Sequence, residues 1–256
     1  MPQSLLTRFA LTLALLSGSS LAETVQVAAA SDLKFVLDEL VTAYRLAYPK
    51  ADPVQVSYGS SGNSYAQIQN GAPFTLFLSA DSSYTKKLEV AGLTIKGTRR
   101  DYATGRVVLW VPKDSPLDVE KLGPAALSDP RVRKIAIANP EHAPYGRAAV
   151  SLLAHYKLAE SLKGKFVLGE NIAQAAQYAS TAADAGILAL SIVKAPSFAA
   201  QGGRYWLAPL NGHERLQQQM VILKNGENTR RFWGFILSPD ARALFKKYGF
   251  VLPREN

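Results

Sequence analysis

The sequence predicts an α/β fold of two lobes, built on mainly parallel sheets, with a ligand cleft between the lobes. Strand-like apolar segments alternate with segments of helical periodicity along most of the chain, which is typical of sheets covered by helices. Four of the strands end at residues that open a helix. The C-terminal portion is too small for a domain, so we expect it to return to the first lobe.

The first 22 residues have the pattern of a secretory signal peptide. Arg8 precedes an apolar run over 9–16, and small residues occupy positions 20 and 22, so cleavage is expected after Ala22. The apolar run is shorter than the roughly 20 residues that span a bilayer. Since the chain contains no cysteine that could carry a lipid, we expect the mature protein to be free in the periplasm of a Gram-negative cell.

The first lobe is predicted from residues 23–104 together with 217–256. After Ser31, apolar residues keep a helical spacing until Pro49. Strands are expected near 54–58 and 74–78, and helices over 63–70 and 82–91. The returning C-terminal portion supplies a strand over 219–223 and helices over 229–237 and 240–248.

The second lobe is predicted from residues 105–216. It begins with an apolar strand over 106–111 and repeats the alternation up to a strand over 186–190. The chain would then cross between the lobes twice, near 104 and within 205–217. Ligands of open α/β sheets bind beyond the carboxyl ends of the strands, so two facing lobes would bring several such ends together.

Charge and composition argue against nucleic acid and metal ions as ligands. The net charge is +9, but lysines and arginines are scattered in short pairs, which indicates solvated faces. His142, His155 and His213 have no ligand spacing with nearby acids, and cysteine is absent, so no metal site is expected.

Four helix starts carry the predicted anion site. They place Ser31 and Asp32, then Ser61, then Tyr145, and finally Ile172 in turns that follow strands. Backbone N–H groups in a first helical turn lack partners inside the helix, and serine hydroxyls add further donors. Since these donors are neutral, they suit an anion that stays ionised. A carboxylate would repel that anion, so the Asp32 side chain is expected to point away and leave only its amide as a contact.

Two other functions fit parts of this pattern. An exported serine hydrolase could combine Ser61 with His142 or His213 and Asp81, although the sequence around Ser61 lacks the Gly-x-Ser-x-Gly elbow. A binding protein for sulfate, phosphate or a phosphonate is the nearer alternative. Catalysis is not the expected function.

A set of short motifs extends over nearly all of the mature length: Ala-Ala-Ala-Ser at 28–31, Tyr-Gly-Ser-Ser-Gly at 58–62, Gly-Ala-Pro at 71–73, Leu-Phe-Leu-Ser-Ala-Asp at 76–81, Asn-Pro-Glu-His-Ala-Pro-Tyr-Gly at 139–146, Ala-Asp-Ala-Gly-Ile at 183–187 and Phe-Lys-Lys-Tyr-Gly-Phe at 245–250. With these motifs the chain resembles the periplasmic molybdate-binding proteins of ABC-type molybdate importers. The resemblance implies a type II periplasmic binding fold and a monomer without a cofactor. It also implies that a membrane permease receives the ligand.

The resemblance further implies which groups bind molybdate or tungstate as a tetrahedral oxyanion, without direct metal ligands. Ser31, Ser61 and the Asp32 amide would donate from lobe one, and the amides of Tyr145 and Ile172 from lobe two. Some members add a tyrosine hydroxyl at the position of Ala189, which this chain cannot supply. Selection against sulfate would then depend on cavity size.

Overall fold

The computed structural model describes residues 24–253, so the predicted signal peptide lies outside the described residues. Ten strands form two five-stranded sheets. Their bounds are β1 Val25–Ala30, β2 Val54–Gly59, β3 Leu76–Ser79, β4 Arg100–Thr104, β5 Val107–Val111, β6 Ile135–Ala138, β7 Phe166–Gly169, β8 Ala185–Ala189, β9 Arg204–Leu207 and β10 Gln217–Ile222.

Eleven α-helices cover the sheets within this described range. They are α1 Lys34–Ala47, α2 Ser61–Gln69, α3 Ser82–Val90, α4 Val119–Leu122, α5 Pro144–His155, α6 Ala159–Leu162, α7 Ile172–Thr181, α8 Leu190–Val193, α9 Pro196–Ala199, α10 Glu227–Ile236 and α11 Pro239–Lys247. None of the helices in residues 24–253 has the length and apolar character needed to cross a membrane.

Each sheet has four strands in one direction and one strand in the opposite direction. In the first sheet, ordered β2-β1-β3-β10-β4, β1 pairs parallel with β2 and β3, whereas β10 is antiparallel to both of its neighbours. In the second sheet, ordered β7-β6-β8-β5-β9, β5 is the reversed strand. The predicted α/β fold with two lobes and mainly parallel sheets is confirmed.

The reversed strands follow the two places where the chain crosses between the sheets. Gly105 and Arg106 join β4 to β5, and residues 208–216 join β9 to β10. The crossings lie side by side, because the Gly105 N–H donates to the Leu216 carbonyl at 2.9 Å. A Cβ at Gly105 would meet the hydroxyl of the buried Tyr145 side chain, so a larger residue here would displace that side chain.

The first lobe buries α1 against the C-terminal helices. The apolar residues predicted to keep helical spacing in α1 are all buried: Val36, Leu37, Leu40, Val41 and Tyr44. The Tyr44 ring packs edge-on against Phe232 of α10, with ring centroids 5.0 Å apart. Full burial of such a phenylalanine contributes about 1.5–3 kcal/mol, so the C-terminal portion is an integral part of this lobe's core.

The sequence did not indicate β4. Its residues Arg100 and Asp101 are exposed, and only the last three positions are buried. β4 pairs with β10, which lies more than 100 residues later in the chain, and the pairing contains an irregularity between Gln218 and Gln219. A short strand with polar residues at its start has too weak a periodic pattern to be recognised locally.

Candidate functional site

A small cavity lies between the lobes at the strand ends and helix starts predicted from the sequence. The cavity has a volume of about 10 Å³, room for about one water molecule. Its lining comprises Ala30, Ser31, Asp32, Gly59, Ser60, Ser61, Ala80, Ala143, Pro144, Tyr145 and Ile172. The fold therefore brings all five predicted binding residues to one place.

Ser31 reaches the cavity from the end of β1, and it does not cap the turn that follows. β1 runs directly into a 3₁₀ turn that starts at Ser31, so Ala30 holds the cap position and makes no side-chain capping bond. The Ser31 hydroxyl is consequently not used within its own turn. Its Oγ accepts a hydrogen bond from the Ala173 amide of the second lobe at 3.4 Å.

Ser60 and Ser61 have different roles at the start of α2. Ser60 is the N-cap, and its Oγ accepts from the Asn63 amide at 3.3 Å. Ser61 is the first helical residue and is fully buried. Its Oγ accepts from the Ala80 amide at 3.0 Å. The Ser61 oxygen is thereby fixed from one side, and its O–H remains free to donate.

The second lobe supplies the starts of α5 and α7. Pro144 occupies the first turn of α5 and has no N–H, so Tyr145 carries the first amide of that helix. Asn171 caps α7 and accepts from the amides of Ala173 and Gln174 at 3.0 and 3.1 Å. The Ile172 amide precedes both and has no acceptor inside the helix. Each helix start therefore presents one buried amide beside the cavity.

Asp32 turns its carboxylate toward the crossing segments. The residue is 1% exposed. Its Oδ2 accepts from the Tyr145 hydroxyl at 3.0 Å and from Gln218 Nε2. Gln218 Oε1 in turn accepts from the Tyr102 hydroxyl at 2.7 Å. Burial raises the pKa of Asp32 from 3.8 to about 6, although the hydrogen bonds from Gln218 and Tyr145 lower it.

The other predicted position is Ala189, which ends β8 and is fully buried. It offers no hydroxyl to the cavity. Two residues later, the Ser191 hydroxyl donates to the Asp32 backbone carbonyl at 2.7 Å. This bond holds the second lobe against the 3₁₀ turn of the first.

The rim of the cavity is closed by contacts between the lobes that the sequence did not reveal. The Gly62 amide donates to the His142 carbonyl at 2.9 Å, and Ser60 Oγ lies 2.9 Å from His142 Nδ1. Asn63 Nδ2 donates to Glu170 Oε1 at 2.6 Å. These partners are about 80 to 107 residues apart in the chain, so no local pattern indicates them.

A second rim contact joins Arg147 of α5 to Asp81 at the start of α3. Their closest atoms are 2.5 Å apart, and the side chains are 27% and 19% exposed. The Arg147 guanidinium also lies over the Tyr84 ring, 5.8 Å from its centroid. The structure therefore represents lobes that are closed on each other.

The serine-hydrolase arrangement does not form. Ser61 Oγ bonds the Ala80 amide, whereas His142 lies beside Ser60. Asp81 pairs with Arg147, and His213 Nδ1 lies 2.7 Å from the Glu214 carbonyl. Within residues 24–253, no three histidine or acidic side chains are grouped to hold a metal ion.

Comparisons with known proteins agree with this architecture. The family model for bacterial extracellular solute-binding proteins matches residues 25–251. The molybdate-binding protein ModA of Azotobacter vinelandii is 37% identical over 247 residues, covering 95% of this chain and 96% of ModA. The ModA of Rhodobacter capsulatus is 36% identical over 202 residues, covering 77% of each chain.

A solved structure is similar over the same extent. The periplasmic molybdate-binding protein of Azotobacter vinelandii has a TM-score of 0.81 and 35% identity, covering 90% of this chain and 100% of that one. The mycobacterial sulfate-binding protein SubI shares the fold, with a TM-score of 0.71 at 14% identity. The homologues are binding proteins and not enzymes. The chain therefore belongs to the family of bacterial extracellular solute-binding proteins, in the group that contains the ModA relatives.

Proposed function

We propose that this protein captures molybdate in the periplasm and delivers it to the permease of an ABC importer. One observation carries the proposal: donors from four separate turns, predicted from the sequence, line one cavity between the lobes. The identity of 37% to a molybdate-binding protein over 95% of the chain supports the same ligand. The donors are the Ser31 and Ser61 hydroxyls and the amides of Asp32, Tyr145 and Ile172.

The chemistry of these donors suits a fully ionised oxyanion. No lysine, arginine or histidine of the described residues lines the cavity, so hydrogen bonds and helix starts would supply the stabilisation. Each hydrogen bond to a charged group contributes about 1.5–3 kcal/mol. Molybdate and tungstate have the same charge and shape, and we propose that the site takes both. The smaller sulfate would leave some donors too far away.

Capture and release follow from the two crossings. The oxyanion enters while the lobes are apart, and rotation about the crossing segments near Gly105 closes them. Contacts such as Gly62 to His142 then hold the ligand away from water. We assign residues 23–104 and 217–256 to one lobe and 105–216 to the other, and we propose that the protein acts as a monomer.

Export is part of the proposal. Residues 1–22 would direct the chain to the periplasm and be removed after Ala22. Sequencing the N-terminus of the protein recovered from a periplasmic extract would then begin at Glu23. A mature protein that still carries the first 22 residues would contradict this step.

Thermal unfolding of the mature chain tests the ligand. A ligand at 100 times its Kd stabilises the native state by about 2.7 kcal/mol, which raises Tm by about 5–10 °C for a chain of this size. We expect the increase with molybdate and tungstate and not with sulfate or phosphate at equal concentration. An increase with sulfate or phosphate alone would identify another oxyanion, and no increase with any of the four would refute an oxyanion ligand.

A further inference from the structure

Asp32 lines the cavity, and its carboxyl group is bonded to residues at the crossing between the lobes. Its Oδ2 is occupied, because it accepts from Tyr145 of the second lobe and from Gln218. Its Oδ1 is buried and accepts no hydrogen bond from any other residue that the structure describes. An unpaired carboxylate oxygen in such a position is costly. The Asp32 carboxylate can therefore bind a proton on Oδ1.

No cation among the described residues compensates the charge of Asp32. The groups that face it are the Tyr145 hydroxyl from α5, Gln218 from β10 and, through Gln218, Tyr102 from β4. The Ser191 hydroxyl from α8 bonds only its backbone carbonyl. Burial and the nearby Asp32 raise the pKa values of both tyrosines well above their ordinary value, so they stay neutral. A dianion in the cavity would thus lie beside an uncompensated carboxylate.

We propose that Asp32 takes up a proton on Oδ1 when the lobes close on the oxyanion, so that the site captures a dianion together with one proton. This inference rests on the proposed function. The proton removes the repulsion between the carboxylate and the ligand, and it gives the unpaired oxygen an O–H. Burial already raises the pKa of Asp32 to about 6 without a ligand, and a neighbouring dianion raises it further.

The proposal fixes the direction of the pH dependence. Since the closed complex binds more protons than the free protein and the free ion, affinity decreases as the pH rises. Between the pKa of Asp32 in the free protein and its higher pKa in the complex, affinity falls by up to about tenfold per pH unit, and above both values it levels off. The Asp32→Asn variant carries an amide that cannot ionise, so its affinity should not change over the same range.

Isothermal titration calorimetry of the mature protein with sodium molybdate counts the protons. The titration is made at about pH 7 in two buffers with different ionisation enthalpies, and the difference in observed enthalpy gives the protons taken up per ion. We expect an uptake of about 0.3–1 proton for the native protein and close to zero for Asp32→Asn. Asp38→Asn, at a half-exposed position of α1, is the matched control and should keep the native uptake.

The failures of the two proposals are distinguishable. No heat and no binding of molybdate would refute the proposed function itself. Binding without any difference between the buffers would overturn the role of Asp32 and leave the function intact.

His142 lies at the rim, with its Nε2 3.6 Å from Glu170. An uptake that persists in Asp32→Asn and disappears in His142→Gln would assign the proton to the histidine and overturn the proposal. If Asp32→Asn fails to fold, the pH dependence of the native protein is measured instead. An affinity for molybdate that does not weaken from about pH 7 to about pH 9 refutes proton uptake by Asp32.

Discussion

Replacing Gly62 with alanine should prevent the lobes from closing without altering the oxyanion donors. Gly62 lies in α2 of the first lobe, and its amide donates to the His142 carbonyl of the second lobe at 2.9 Å. A Cβ at this position would lie 2.5 Å from that carbonyl oxygen, 3.0 Å from the His142 Cα and 2.9 Å from the Tyr84 hydroxyl. Two of these atoms are backbone and cannot rotate away, so the lobes would have to separate.

The expected loss can be estimated from these contacts. Separation weakens the bond between Gly62 and His142, which contributes about 0.5–1.5 kcal/mol, and the overpacking costs about 1–3 kcal/mol. A sum of about 1.5–4.5 kcal/mol corresponds to an affinity for molybdate reduced about 10-fold to 2,000-fold. The fold itself should not suffer, because alanine favours a helix by about 1 kcal/mol over glycine.

Calorimetric titration with molybdate measures this effect, and Gly234→Ala is the control. Gly234 lies in α10, and a Cβ added there meets no atom within 4 Å. We expect the control to bind like the native protein and Gly62→Ala to keep the native Tm without ligand. A Gly62→Ala protein that binds molybdate within about twofold of the native affinity, a difference of about 0.4 kcal/mol, would refute the closed arrangement of the lobes.

Three further substitutions test other parts of the site. Ser61→Ala removes a proposed donor and the acceptor of the Ala80 amide. The affinity for molybdate measured by titration should therefore fall about 10-fold to 150-fold. Unchanged affinity would show that Ser61 does not bind the ion. In the ligand-free protein, the raised pKa of Asp32 means that the folded state binds the proton more tightly. Its stability should therefore decrease as the pH rises from about 4 to about 6, by up to about 3 kcal/mol. In urea unfolding, Asp32→Asn should have a free energy of unfolding higher than that of the native protein by this amount at pH 7, and no higher at pH 4. An equal increase at both pH values would contradict the raised pKa. Arg147→Met removes the ion pair with Asp81, so affinity should fall by up to about fivefold and lose part of its salt dependence. A titration unaffected by the change would show that this pair does not hold the lobes closed.

The sequence was most informative where periodicity is long or a turn is distinctive. The apolar spacing of α1 identified its buried face, because one face of a helix must be covered by the core. The four helix starts were recognisable because few local structures, other than a strand followed by a helix, fit a buried apolar run that ends at small polar residues. All four converge on the cavity, since the carboxyl ends of parallel strands lie at one edge of a sheet.

The remaining features depend on contacts between distant parts of the chain. Ser60 is the N-cap of α2 and Ser61 is its first, buried residue. Neighbouring serines do not reveal this division. The requirement that Asp32 point away from an anion could be stated from charge alone, whereas its partners Tyr145 and Gln218 lie 113 and 186 residues away. Closure at Gly62 likewise appears only when both lobes are folded.

A crystal structure of the mature protein with molybdate, recorded at the molybdenum absorption edge, would show where the ion binds. The anomalous signal marks the metal independently of any assumption about the site. We expect one peak between the lobes, with oxyanion oxygens about 2.7–3.2 Å from the Ser31 and Ser61 hydroxyls and from the amides of Tyr145 and Ile172. A peak outside the cavity lined by these residues, or a molybdenum bound directly by side chains, would contradict it.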